Sequence, residues 1–142
     1  MQPRISIITL GVADLARSYR FYAEGLGLPT TRDPADGIVF FQTQGATLAL
    51  FPLDELTADI GTSAGALRPG SGGITLAHNV RTRDEVDEVL AAASGAGAEI
   101  LRRADDTEWG GYSGYFADPD GHVWEVAWGA FPFNDDGSLA VD

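Results

Sequence analysis

A strand-then-helix pattern occurs twice in this chain, and that repetition constrains the fold more than any other feature. Ile5 to Val12 is a β-rich run followed at once by Asp14, an N-cap residue. Leu15, Tyr19, Tyr22 and Leu26 then recur at helical spacing, with Gly25 and Gly27 placed to stop the helix. Gly73 to Val80 is a second such run. It leads into Thr82 and Glu85, the two members of a capping box, and then into Val86, Val89, Leu90 and Ala93 on one helix face, with Gly95 and Gly97 as stops. The caps Asp14 and Thr82 stand 68 residues apart.

Short strand-like runs follow each helix: Ile38 to Thr43 and Thr47 to Phe51 in the first half, Glu99 to Arg102, Tyr112 to Ala117 and Val123 to Trp128 in the second. Leu28 to Arg32 offers a further strand. Gln44-Gly45 and Asp118-Pro119-Asp120-Gly121 are hairpin turns by composition, the acids of the second satisfying local amides. The expected division is a first βαβββ module over 1–52, a linker over 53–72 that includes Gly61, Gly65, Pro69, Gly70 and Gly72, a second module over 73–130 and a tail over 131–142. A βαβββ module covers one sheet face with its helix and leaves the other bare, so two must combine to close a core or cavity. The expected class is α+β, two such modules pairing into a cupped mixed sheet with a ligand on its concave side.

Composition narrows the chemistry. With 142 residues the chain has room for one domain or two small modules. There is no cysteine, so disulfides, thiolate nucleophiles and cysteine-based metal sites are excluded. All nine basic residues are arginine, which excludes Schiff-base lysine catalysis and a P-loop lysine. A net charge of −12 repels phosphate backbones and anionic membranes, so the expected partner is a small neutral or cationic ligand, with no nucleic acid and no membrane. The N-terminal run reads as no signal peptide and no segment is long enough to span a bilayer, so the expected location is the cytoplasm.

ITLGVADLARSYRFYAEGLGL in the first module and GYSGYFADPDGHVWEVAW in the second carry a family resemblance that extends from about residue 5 to residue 128. The chain resembles the vicinal oxygen chelate superfamily, which includes glyoxalase I, extradiol dioxygenases, fosfomycin-resistance enzymes and bleomycin-resistance proteins. In the metalloenzymes of that family a divalent metal sits in the cup, and the resemblance places its ligand positions on Ile7, Ala49, Thr75 and Glu125. Only Glu125 is a ligand type. Zinc, nickel or iron needs three or four donors, so the expectation is no cofactor, with a loosely bound divalent metal at Glu125 as the alternative.

Alternation puts Val123, Glu125 and Ala127 on one face of their strand and Trp124, Val126 and Trp128 on the other. Glu125 is the candidate catalytic residue. Similarity to the fosfomycin-resistance enzymes implies that Thr9, Ser113 and Tyr115 line the pocket with it, and Thr75 joins them by its place on the strand. Trp109, in Trp109-Gly110-Gly111-Tyr112, reads either as a lid residue on glycine hinges or as a plug between modules. His78 and His122 read as core or turn residues. Phe131 and Phe133 are expected to dock on the domain or on a second subunit, and the assembly is expected to be a homodimer. Three functions follow: a binding protein of the bleomycin-resistance kind, a lyase, isomerase or dioxygenase-like enzyme using Glu125 as general base or metal ligand, and an inert dimer with a collapsed cup.

Overall fold

The protein was described through a computed structural model, which covers residues 1–2, 5–61 and 67–140. Gly65 of the expected linker and the last two residues of the expected tail fall outside these. The class is α+β, in two compact units, Met1–Pro69 and Gly70–Asp142.

In the first unit, strand β1 (Ile7–Val12) leads into helix α1 (Leu15–Tyr19), whose N-terminus is capped by Asp14 accepting from the Arg17 amide at 2.9 Å. The helix continues as a π-helical segment over Arg20–Gly25. Its inward side chains are Ser18, Phe21 and Tyr22, whereas Tyr19 and Leu26 of the expected stripe are only half-buried. Strands β2 (Val39–Phe41) and β3 (Thr47–Pro52) complete a three-stranded sheet in the order β1-β3-β2, with β1 parallel and β2 antiparallel to β3. The unit core gathers Leu10, Phe21, Tyr22, Phe41, Leu48 and Leu50, with the Phe21 and Tyr22 rings packed edge-on at 4.9 Å.

Two expectations are corrected here. Leu28 to Arg32 is not a strand. Pro29 has no amide to donate to a ladder, and its carbonyl only accepts one hydrogen bond, from the Gln42 amide at 3.0 Å. The stretch expected as a linker begins with helix α2 (Leu53–Ile60). Its Leu53 and Leu56 seat on the bare backbone of Gly11 on β1, where a methyl group would lie 2.5 Å from Leu53 Cδ1.

The second unit repeats the plan with one more strand. Strand β4 (Thr75–Val80) is followed by helix α3 (Arg83–Gly95), then by β5 (Glu99–Asp106), β6 (Tyr112–Ala117) and β7 (Val123–Trp128), in the sheet order β4-β7-β6-β5. β4 runs parallel to β7, and the other pairs are antiparallel. The expected capping box is formed: Thr82 Oγ1 accepts from the Glu85 amide at 3.2 Å, and Glu85 Oε2 accepts from the Thr82 amide at 2.9 Å. Val86, Leu90 and Ala93 turn inward onto the sheet. Thr82→Ala is expected to cost about 1 kcal/mol in urea unfolding and Thr82→Ser almost nothing. Equal losses in both variants would show that the hydroxyl is not the cap.

Between β6 and β7, Asp118 Oδ1 accepts from the Asp120 and His122 amides at 2.9 and 2.8 Å, which is the local role expected of that turn. The tail docks on its own unit. Phe131 packs on Trp109 with ring centroids 5.7 Å apart, and Phe133 lies under the Arg81 guanidinium at 4.5 Å. Among the described residues no helix is long and apolar enough to cross a membrane.

Candidate functional site

Residues directly opposite one another across a sheet share a face. In the second unit Arg102 pairs with Tyr115, Tyr115 with Glu125, and Glu125 with Ala77, so one row of side chains crosses β5, β6, β7 and β4. Val123 and Ala127 flank Glu125 on this face, and Ser113 and Thr75 lie on it as well. The opposite face belongs to α3. Phe116 and Trp124 stack there with centroids 6.2 Å apart, and a methyl group on Gly114 would meet Leu90 of the helix at 2.6 Å.

The row is hydrogen-bonded. The Tyr115 hydroxyl donates to Glu125 Oε1 at 3.0 Å. Arg102 Nη2 donates to Ser113 Oγ at 2.6 Å and to the Ser113 carbonyl at 3.1 Å, and its guanidinium lies 5.0 Å from the centre of the Tyr115 ring. Partial burial, reinforced by the bond to Glu125 and that carboxylate's charge, raises the Tyr115 phenol above its ordinary value, while Arg102 opposes the shift. The phenol therefore stays protonated as a donor throughout the neutral range.

Arg102 reaches this face because β5 is irregular. Ile100 pairs with Phe116 on the helix side, and plain alternation would send Arg102 to the same side. The register shifts between Ile100 and Arg102, so Leu101 is the extra residue, and Arg102 comes to lie opposite Tyr115 instead. A second shift before Asp105 sets Arg103 and Ala104 opposite the single residue Gly114. Leu101, displaced by the first bulge, is 47% exposed.

Of the candidates from the sequence, Glu125, Tyr115, Ser113 and Thr75 lie on this one face, and Thr75 and Glu125 are partly or fully open to solvent within the chain. Ser113 is 1% exposed and its hydroxyl is engaged by Arg102, so it holds the arginine in place. Thr9 belongs to the first unit, exposed on β1 opposite Ala49. Trp109 stands in a closed turn, where Gly111 donates to Thr107 Oγ1 at 2.8 Å, and its ring covers Gly111 and Gly129 against Phe131.

His78 pairs with Val126 on the helix side, and His122 is 8% exposed in the β6–β7 turn. Arg102 is the residue that the sequence reading missed. Its signal was the Arg102-Arg103 pair, since neighbours on a strand point to opposite faces and one arginine had to reach the Glu125 side. An open groove of about 520 Å³ lies between α3 and β5, lined by Leu90, Ile100 and Arg103, on the face away from Glu125. Among the described residues no group of three or more His, Cys, Asp or Glu side chains is placed to hold a metal ion.

A family model described as Glyoxalase/Bleomycin resistance protein/Dioxygenase superfamily matches residues 4–126. Among solved structures, the chain is similar to a glyoxalase-related enzyme from Fulvimarina pelagi, with 40% identity and a TM-score of 0.89 over 98% of both chains. It is also similar to a glyoxalase/bleomycin resistance protein/dioxygenase from Nocardioides, with 25% identity and a TM-score of 0.72 over 100% of this chain and 90% of that one. A lactoylglutathione lyase from Agrobacterium tumefaciens matches with 25% identity and a TM-score of 0.67, over 91% of this chain and 96% of the other. No curated protein matches the chain.

Proposed function

The chain belongs to the Glyoxalase/Bleomycin resistance protein/Dioxygenase superfamily, and on that premise we propose that the Glu125 face of its second sheet binds a small organic molecule without a tightly bound transition metal. The observation that carries this reading is the row Arg102–Tyr115–Glu125, with Tyr115 hydrogen-bonded to Glu125, set on a face that also carries Ala77, Val123, Ala127, Thr75 and Ser113. A cation, a phenol and a carboxylate, all within reach of solvent and lined up beside small apolar side chains, are the mixture of polar and apolar groups that a small-molecule site uses.

The donor set argues against a firmly held metal. Where the family's metalloenzymes place their ligands, this chain has the hydrocarbon of Ile7, the methyl of Ala49, the hydroxyl of Thr75 and the carboxylate of Glu125. One carboxylate, with an oxygen already accepting from Tyr115, does not fit zinc, nickel or iron.

The Tyr115–Glu125 bond also favours a second reading, an enzyme. It orients a carboxylate whose other oxygen has no partner among the described residues, so Glu125 is able to act as a general base on a bound carbon acid.

We place the protein in the cytoplasm, where a chain without cysteine needs no disulfides, and we propose a homodimer. Support for the dimer comes from each unit by itself: Ile5 and Ile7, at and beside edge strand β1, are 71% and 51% exposed, and Ile74, beside edge strand β4, is 66% exposed.

Native mass spectrometry of protein purified from its own host tests these readings together. The expected particle is about twice 15.0 kDa, carries a small organic mass and holds no stoichiometric metal. One metal ion per chain, lost in Glu125→Gln, overturns the metal-free reading. A 15.0 kDa particle overturns the dimer. Absence of any retained molecule, together with no thermal response to a metabolite extract, overturns ligand binding.

A further inference from the structure

We propose that the molecule recognised on this face is a zwitterion, a net-neutral compound whose carboxylate is held by Arg102 and whose ammonium group is held by Glu125. The inference rests on the small-molecule reading above and adds the charge pattern of the ligand.

The arginines of this chain differ in how they are matched. Arg83 meets Asp106 at 2.6 Å and Arg32 approaches Asp36 at 3.9 Å. Arg102 has no carboxylate partner among the described residues. It uses only Nη2, on the hydroxyl and carbonyl of Ser113, and that anchor is itself buried. Nη1 and Nε keep N–H donors that a carboxylate oxygen can accept.

Glu125 mirrors this arrangement. Oε1 accepts from Tyr115, and Oε2 has no donor among the described residues. The two side chains do not pair with each other. Tyr115 stands between them, with the guanidinium 5.0 Å from its ring centre and the carboxylate 3.0 Å from its hydroxyl. A cation and an anion are thus held on either side of one phenol, each with hydrogen-bonding capacity left over.

Net charge decides which ligand uses both. A chain at −12 repels a net anion, so Arg102 alone makes a weak argument for a simple carboxylate. A simple cation satisfies Glu125 but leaves the guanidinium unmatched and brings a like charge toward it. A zwitterion meets both groups without a net charge in the field, and Ala77 and Val123, which keep access to solvent on the same face, suit an apolar portion beside the row.

The test uses three probes that share a phenylethyl group, phenylalanine, 2-phenylethylamine and 3-phenylpropionate, titrated calorimetrically into the full chain at pH 7. Phenylalanine is expected to bind at least about tenfold tighter than either singly charged probe. Arg102→Gln should abolish its advantage over phenylethylamine, and Glu125→Gln its advantage over phenylpropionate, with thermal melts confirming that both variants fold. Equal binding of the three probes, or an advantage that survives both substitutions, overturns the zwitterion and leaves the small-molecule reading standing. Should no probe bind, the molecule retained from the host decides: one bearing both a carboxylate and an amine supports the inference, and one lacking either overturns it. No probe binding, no retained molecule and no thermal response to a metabolite extract would together defeat the small-molecule reading itself, and this inference with it.

Discussion

Phe116→Ala is expected to cost about 3–5 kcal/mol in urea unfolding, the largest stability loss of any substitution considered for this chain. Phe116 is 1% exposed near the end of β6, its ring is stacked on Trp124 at an interplanar angle of 5°, and it stands directly opposite Ile100. Truncation removes the apolar contact and leaves a void between α3 and the sheet. Neighbours on rigid strands cannot close that void. Phe116→Leu keeps most of the volume and should lose roughly a third as much. Because the side chain points away from Glu125, ligand binding per folded molecule should be unchanged in Phe116→Leu. A Phe116→Ala loss under about 1 kcal/mol would show that α3 is loosely seated.

Where local chemistry was sufficient, the sequence was readable. Asp14 and Thr82 act within four residues of themselves, so their caps and the strand-helix repeat around them followed from spacing alone. Glu125, Tyr115 and Thr75 fell on one face because β4, β6 and β7 alternate without interruption. The failures have separate causes. Leu28 to Arg32 has strand composition, but the missing amide of Pro29 outweighs it. The α2 helix carried a signal in Leu53, Leu56 and the acids Asp54 and Glu55 of its first turn, which the following glycines obscured.

Arg102 is a different kind of failure. Its face depends on two register shifts in β5, and a bulge is a property of a strand pair rather than of one strand's composition. Alternation counted from Ile100 assigns Arg102 to the helix side, and the expected site, built without it, lacked its cation; the neutral or cationic ligand was expected from the net charge of −12 alone. What the pairing required lay on the partner strand, at Gly114.

Gly114→Ala is therefore the substitution expected to disturb both the fold and the site. Its φ is in the ordinary range, so the need for glycine comes from space alone. A methyl group there would lie 2.6 Å from Leu90 Cδ1, 2.9 Å from the Arg102 carbonyl oxygen and 3.0 Å from the Ala104 amide nitrogen. The leucine tip can rotate. The other two contacts are backbone atoms of the bulge that folds over Gly114, and they move only if β5 lifts from β6. The expected cost is about 2–3 kcal/mol in urea unfolding. Since the same bulge presents Arg102 to Ser113, lifting it should also erase the preference for phenylalanine over phenylethylamine, as Arg102→Gln does, while the Tyr115–Glu125 bond on β6 and β7 survives. A double-mutant cycle with Leu90→Ala separates the causes, because it relieves the helix contact and leaves the backbone contacts in place. Partial recovery of stability with no recovery of probe preference is the expected outcome. Full recovery of both would show that α3, and not the bulge, is what requires glycine at this position.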